Sequence, residues 1–182
     1  MKVAFLDRDG VINREVNYLF RIEEFEYTEN CVEGLKTLRE LGYELIIVTN
    51  QAGIAKGYYT EENYHKLTKW YLADLRSKGV EVLDVFYCPH HRDGTVEFYS
   101  KACNCRKPKP GMFFNALTKY NIDKSGSIMI GDKTSDIEAA INFGMPCENC
   151  FLVLSGHTTD RKSKFKVAEN VADVAKILKN IN

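Results

Sequence analysis

Five short strand-like runs, at residues 3–6, 44–48, 82–87, 127–130 and 151–154, alternate with helical stripes along the chain. No other feature limits the fold as much. Strands separated by amphipathic helices pair in parallel, because each helix supplies the crossover to the next strand. The expected class is α/β: a parallel sheet with helices on both faces and a site at the carboxyl ends of its strands. The polar residues agree. Asp7 and Asp9 follow the first run, Thr49 the second, Cys88 the third and Asp132 the fourth.

The helices between the runs carry readable signals. Val32, Leu35, Leu38 and Leu41 form one stripe that stops at Gly42. Thr60 is placed to cap a helix that turns Tyr64, Leu67, Tyr71 and Leu75 inward and ends near Gly79. Pro110 suits the first turn of a helix reaching about Tyr120. Ser135 with Glu138 predicts a capping box for a helix closing at Gly144, and Val171, Val174, Ile177, Leu178 and Ile181 mark a last one. Residues 13–30, 52–59 and 88–109 lack a period and read as loops. With 182 residues and no linker, a single domain spanning 1–182 is expected.

Composition excludes several classes. Lys plus Arg equals Asp plus Glu at 25 each, so no net basic field draws nucleic acid or an anionic membrane. No apolar run approaches the roughly 18 residues of a membrane span. An early run of charges leaves no signal-peptide pattern, so a cytoplasmic enzyme acting on a small molecule, as a monomer, is the expectation.

Two acids two residues apart at a strand end project to one side. In water they only repel; around a divalent cation they become useful, since hard cations take carboxylate oxygens. A phosphate ester also repels nucleophiles, and a carboxylate with a cation beside it can attack one. Asp7 therefore reads as nucleophile and Asp9 as acid/base partner. Asp7 and Asp132 read as Mg²⁺ ligands, Thr49 as a hydroxyl donor to the phosphoryl group, and Lys107 as a fixed charge.

Asp7-Arg-Asp9-Gly10, Val48-Thr49-Asn50, Lys107-Pro108 and Gly131-Asp132 with Asp136 resemble the four motifs of haloacid dehalogenase superfamily phosphatases. The resemblance covers nearly the whole chain. It implies a Rossmann-like capless fold, Mg²⁺ dependence and an aspartyl-phosphate intermediate. It also implies an Asp9 backbone carbonyl on the metal, and Asp136 behind the metal ligands.

Cys88, His90, Cys103 and Cys105 offer the four ligands of a structural Zn²⁺ site within the 88–108 loop, with His91 as rival to His90. Zinc there would fix Arg106 and Lys107 beside its last ligand. The strings from Cys88 to Gly94, from Cys103 to Gly111 and from Val48 to Gly57 resemble heptose bisphosphate phosphatases. Histidinol-phosphate phosphatases share the ligand types but match the loop length less well. The former resemblance implies that Arg106 recognises substrate and that Lys133 meets its distal phosphate or sugar. Glu15, Val16, Asn17, Tyr18, Asn50, Gln51 and Ala52 would line the pocket. A substrate that is a small phosphorylated sugar follows, removal of its 7-phosphate serving nucleotide-activated heptose synthesis. A zinc-stabilised binding protein without catalysis is the rival from another class. Cys147 and Cys150 receive no role, and the basic stretch 157–166 reads as a loop.

Overall fold

The structure is a computed structural model describing residues 1–157 and 163–181. Its elements run β1 (Lys2–Leu6), α1 (Cys31–Glu40), β2 (Tyr43–Asn50), α2 (Ala52–Ala55), α3 (Glu61–Ser77), β3 (Asp84–Cys88) and α4 (Gly111–Lys119). Then follow β4 (Ile128–Gly131), α5 (Thr134–Phe143), β5 (Cys150–Val153), β6 (Lys166–Ala168) and α6 (Val171–Ile181). The strands form one parallel sheet in the order β3-β2-β1-β4-β5-β6.

Strand residues alternate between the two faces, and each face has its own core. Ala4, Leu6, Leu45, Ile47 and Ile130 pack against Leu35 and Leu38 of α1, Leu67, Tyr71 and Leu75 of α3, and Val171 and Val174 of α6. Val3, Phe5, Ile46, Val48 and Met129 pack against Met112 and Phe113 of α4 and Ile137, Ala140 and Phe143 of α5. Because both faces are covered, the strands carry continuous apolar runs instead of alternating ones.

This order places the topological switch at β1, where the chain moves from the β2–β3 side to β4. Leu6 pairs with Ile47 on one side and Ile130 on the other. Asp7 therefore emerges between the ends of β2 and β4, with Asp132 one residue past β4.

Several expectations need correction. A sixth strand, β6, adds to the five expected; it begins at Lys166, the last residue of the basic stretch read as a loop, of which 158–162 lie outside the described residues. The segment 52–59 opens with a single helical turn, α2. Helix α5 starts at Thr134, so Lys133 takes the cap position and Asp136, not Glu138, reaches back to its N–H at 2.9 Å. Thr60 caps α3 as expected, in a reciprocal box with Asn63. Ile181 is exposed at the end of α6. Among the described residues no helix is long and apolar enough to cross a membrane.

Candidate active site and metal centre

A cavity of about 250 Å³ opens at the carboxyl ends of the central strands. Asp7 and Asp9 line it with Glu15, Asn17, Tyr18, Asn50, Gln51, Ala52, Arg106, Lys107 and Lys133, all marked in the sequence. Val16 is exposed and is not among the lining residues.

Asp7 is almost fully buried. Its Oδ1 accepts from the Arg8 backbone N–H at 2.8 Å and lies 2.9 Å from Lys107 Nζ, which leaves Oδ2 for chemistry. Burial pushes the Asp7 carboxyl up to about 8; Lys107 opposes this, while Asp136, Asp132 and Asp9 add to it. Lys107 Nζ also meets Asp136 Oδ1 at 2.7 Å and donates to the Val48 carbonyl at 2.7 Å. Burial acts against the ammonium, but the carboxylates of Asp136 and Asp7 outweigh it and hold the lysine charged.

Asn50 fixes the Lys107 backbone from both sides. Its Oδ1 accepts from Lys107 N–H at 3.0 Å, and its Nδ2 donates to the Lys107 carbonyl at 3.2 Å. A residue expected to line the pocket thus also holds Lys107. Gln51 has a similar double task. Its Nε2 donates to Asp9 Oδ2 at 3.0 Å and to Thr49 Oγ1 at 2.8 Å, while its Oε1 accepts from Tyr59 at 2.5 Å. Thr49 is fully buried below the cavity, with its own hydroxyl hydrogen free to donate.

Arg8 escaped sequence reasoning. It is fully buried, and its Nη2 grips Asp9 at 2.6 and 2.9 Å. Burial pushes Asp9 up, but the Arg8 guanidinium and hydrogen bonds from Arg8, Asn13 and Gln51 win and hold it below the usual carboxylate range. Its position between two acids was the only sequence signal. Lys56, Tyr59, Ser135 and His157 also line the cavity without having been singled out for it. At the rim, Tyr18 packs on Tyr58 with ring centroids 4.6 Å apart and accepts from Lys56 Nζ at 2.8 Å. Asn17 and Tyr18 both sit at positive φ, 52° and 61°, a costly backbone for side-chain-bearing residues.

Oxygens of Asp7, Asp132 and Asp136 lie within 4.8 Å of one another. Asp136 is taken by Lys107 and the Lys133 N–H. Asp132 is fully buried and its Oδ1 has no hydrogen-bond partner among the described residues. A buried carboxylate oxygen without a donor costs several kcal/mol by order of magnitude, unless a cation compensates it. The donor set is hard and oxygen-only, which fits Mg²⁺ at Asp7 and Asp132.

The second metal group lies beside it. Cys88, at the end of β3, stands with its Sγ 3.5 Å from Cys103 Sγ and 3.0 Å from Cys105 Sγ, while His90 Nδ1 is 3.3 Å from Cys105 Sγ and 3.8 Å from Cys88 Sγ. Zinc–sulfur bonds of about 2.3 Å in a tetrahedron separate ligand atoms by about 3.8 Å, so the cluster fits Zn²⁺ with modest adjustment. Contact with Cys88 and His90, against the effect of burial, pulls the Cys105 thiol down to about 5, the thiolate form a metal takes. His90 joins the cluster; His91 instead accepts from the Asp93 N–H.

A HAD-hydrolase-like family model matches residues 104–180. The D-glycero-α-D-manno-heptose-1,7-bisphosphate 7-phosphatase of Photorhabdus laumondii is 58% identical over 170 residues, covering 93% of this chain and 92% of that protein. The D-glycero-β-D-manno-heptose-1,7-bisphosphate 7-phosphatase of Pasteurella multocida is 41% identical over 183 residues, with 99% and 98% covered. Among solved structures, the D,D-heptose 1,7-bisphosphate phosphatase of B. bronchiseptica, complexed with magnesium and phosphate, superposes over the full length of both chains with a TM-score of 0.85 and 27% identity. With this fold, these residues and that identity along nearly its whole length, the chain belongs to the heptose-1,7-bisphosphate 7-phosphatase family of haloacid dehalogenase-like hydrolases.

Proposed function

We propose that the protein hydrolyses the 7-phosphate of D-glycero-α-D-manno-heptose 1,7-bisphosphate. The observation that carries the bisphosphate reading is a surplus of cations. Beyond Lys107, the cavity is lined by Lys56, Arg106 and Lys133, none of which pairs with a carboxylate among the described residues. One phosphoryl group at Asp7 meets Thr49 and Lys107; the remaining cations suit a second phosphate. The α anomer is favoured by the 58% relative, while the β-specific names belong to relatives at 37–43% identity. Those names also favour heptose over histidinol phosphate.

In the first step Asp7 Oδ2 attacks phosphorus, and the bond to the sugar oxygen breaks. Asp9, protonated when the phosphate dianion is bound, gives that oxygen its proton and is left ionised, and Asp7 carries the phosphoryl group. In the second step Asp9 takes a proton from water, the water oxygen bonds to phosphorus, and the bond to Asp7 breaks, releasing inorganic phosphate. Bound at Asp7, Asp132 and the Asp9 carbonyl, Mg²⁺ supplies positive charge for the phosphoryl oxygens. The resting Asp9, held ionised by Arg8, is set for the second step. A phosphate dianion raises its proton affinity for the first. Thr49 holds the transferring oxygens, and Lys107 joins it as Asp7 takes the phosphoryl group.

Phosphate release from both anomers and from histidinol phosphate tests the proposal. The largest kcat/KM is expected for the α bisphosphate. A preference for the β anomer overturns the anomeric assignment, and histidinol phosphate as best substrate overturns the sugar. Arg106→Ala is expected to lower kcat/KM for the bisphosphate by roughly 10- to 150-fold, the worth of a charged hydrogen bond of about 1.5–3 kcal/mol. A heptose 7-phosphate lacking the other phosphate should feel the change little. Equal losses on both would place Arg106 at the reacting phosphate instead.

A further inference from the structure

We propose that His157 is a positioning residue that fixes how the Asp132 carboxylate is turned, with one oxygen held and the other left for the catalytic cation; this rests on the reading of Asp132 as a cation ligand. Asp132 Oδ2 accepts twice from His157, from its backbone N–H at 2.9 Å and from its ring Nδ1 at 2.8 Å. Oδ1, equally buried, accepts from nothing among the described residues. The two oxygens of one carboxylate are thus held in unlike states.

The backbone around them makes that difference permanent. A Cβ on Gly10 would lie 2.5 Å from Asp132 Oδ2, and one on Gly156 would lie 2.3 Å from it. Two glycines bring the chain against the oxygen that His157 occupies. Turning the carboxylate part-way out of this orientation breaks both His157 bonds and leaves two donors without an acceptor. Donors behind a ligating carboxylate orient it and tune its affinity.

His157 also links the cation to the substrate loop. Glu15 Oε2 stands 3.4 Å from His157 Nδ1, and Glu15 Oε1 accepts from the Asn17 N–H at 2.7 Å. The Glu15 carboxylate thus steadies the ring from one side and the positive-φ turn at Asn17 and Tyr18 from the other. Atoms of Glu15, Asp132 and His157 lie close enough to share an ion themselves. Two hydrogen bonds already directed at Asp132 Oδ2 favour the positioning role.

The test is Mg²⁺ titration calorimetry on the full chain and two variants, with turnover measured separately across Mg²⁺ concentrations up to saturation. His157→Ala should weaken Mg²⁺ binding roughly 10- to 100-fold and raise the Mg²⁺ concentration needed for half-maximal turnover by the same factor. His157→Asn, whose side-chain nitrogen occupies the same δ position as the ring donor, should bind nearly as the parent does. The ring is partly exposed, so both variants are expected to fold, checked by melting without cation. Should the Ala variant fail to fold, His157→Gln, which moves the donor one carbon outward, gives the same comparison. Unchanged affinity in the Ala variant overturns the proposal. So does a loss of kcat at unchanged affinity, or a second bound Mg²⁺ ion that vanishes with the ring. If the parent binds no Mg²⁺, the ligand reading of Asp132 fails, and the positioning role with it; if the parent binds Mg²⁺ and the Ala variant binds it as tightly, that reading survives and the positioning role alone is lost.

Discussion

Asp7→Asn is expected to stop turnover and, without divalent cation, to stabilise the fold at alkaline pH. An amide has no free carboxylate to attack phosphorus, so the loss should reach at least roughly 10⁴-fold, as for other nucleophile removals. The stability effect follows from the raised carboxyl. Burial and three neighbouring carboxylates bring Asp7 to about 8. Between pH 4 and 8 the folded state therefore holds a proton that the unfolded chain has released. Its contribution is fully present at low pH and is lost as pH rises through that window. Asn at the same place does not titrate. In chelator at pH 8, Asp7→Asn should melt above the parent, with the gap closing toward pH 5. Added Mg²⁺ should raise the parent's melting temperature and not the variant's, since binding to the folded state alone stabilises it. Scanning calorimetry across pH, with and without Mg²⁺, checks both signs; full activity in the variant would sink the aspartyl-phosphate route.

The second large effect concerns the sulfur cluster. Elemental analysis should find about one zinc per chain. Cys105→Ser should lose it and with it at least about a hundredfold of activity, because Cys105 lies two residues before Lys107. Residues 89–109 contain one 3-10 turn, at Glu97–Tyr99, and join no strand of the sheet among the described residues. A loop with so little regular structure is tied down by the Asn50 bonds to Lys107, and a metal at Cys88, His90, Cys103 and Cys105 would order the rest. Strong chelation followed by Mg²⁺ alone should leave the enzyme inactive, and Zn²⁺ with Mg²⁺ should restore it. Recovery with Mg²⁺ alone, or a zinc-free protein of full activity, would remove zinc from the picture.

That Asp7, Asp9, Thr49, Lys107 and Asp132 gather at one end of the sheet, and that Cys88, His90, Cys103 and Cys105 cluster, could be read from sequence because parallel strands all deliver their next residue to one edge. A polar residue after each apolar run is then a statement about position. What stayed hidden depended on packing across the site. Arg8 looks like a surface charge between two acids, and only its burial against Asp9 reveals otherwise. His157 begins a basic stretch whose composition suggests solvent, yet its ring turns inward onto Asp132. Strand β6 has three residues, too few to show a period. Glu138 fits the capping spacing from Ser135, but the cap falls two residues earlier, at Lys133, which hands the task to Asp136. The role of Asn50 as a brace for Lys107 spans 57 residues of sequence and leaves no local trace.

Lys107 meets three partners at once: two carboxylates and one carbonyl. An ammonium has three donors, so its capacity is full before substrate arrives. Once Asp7 carries a phosphoryl group, its oxygens lose their negative charge to the new ester, and the donor they held is released toward the phosphoryl oxygens. The lysine thus follows the charge through the cycle without moving its anchor on Val48 and Asp136. A guanidinium offers its donors in a flat fork, which does not converge on three partners around a single nitrogen. What this position demands is the shape of an ammonium, as much as its charge.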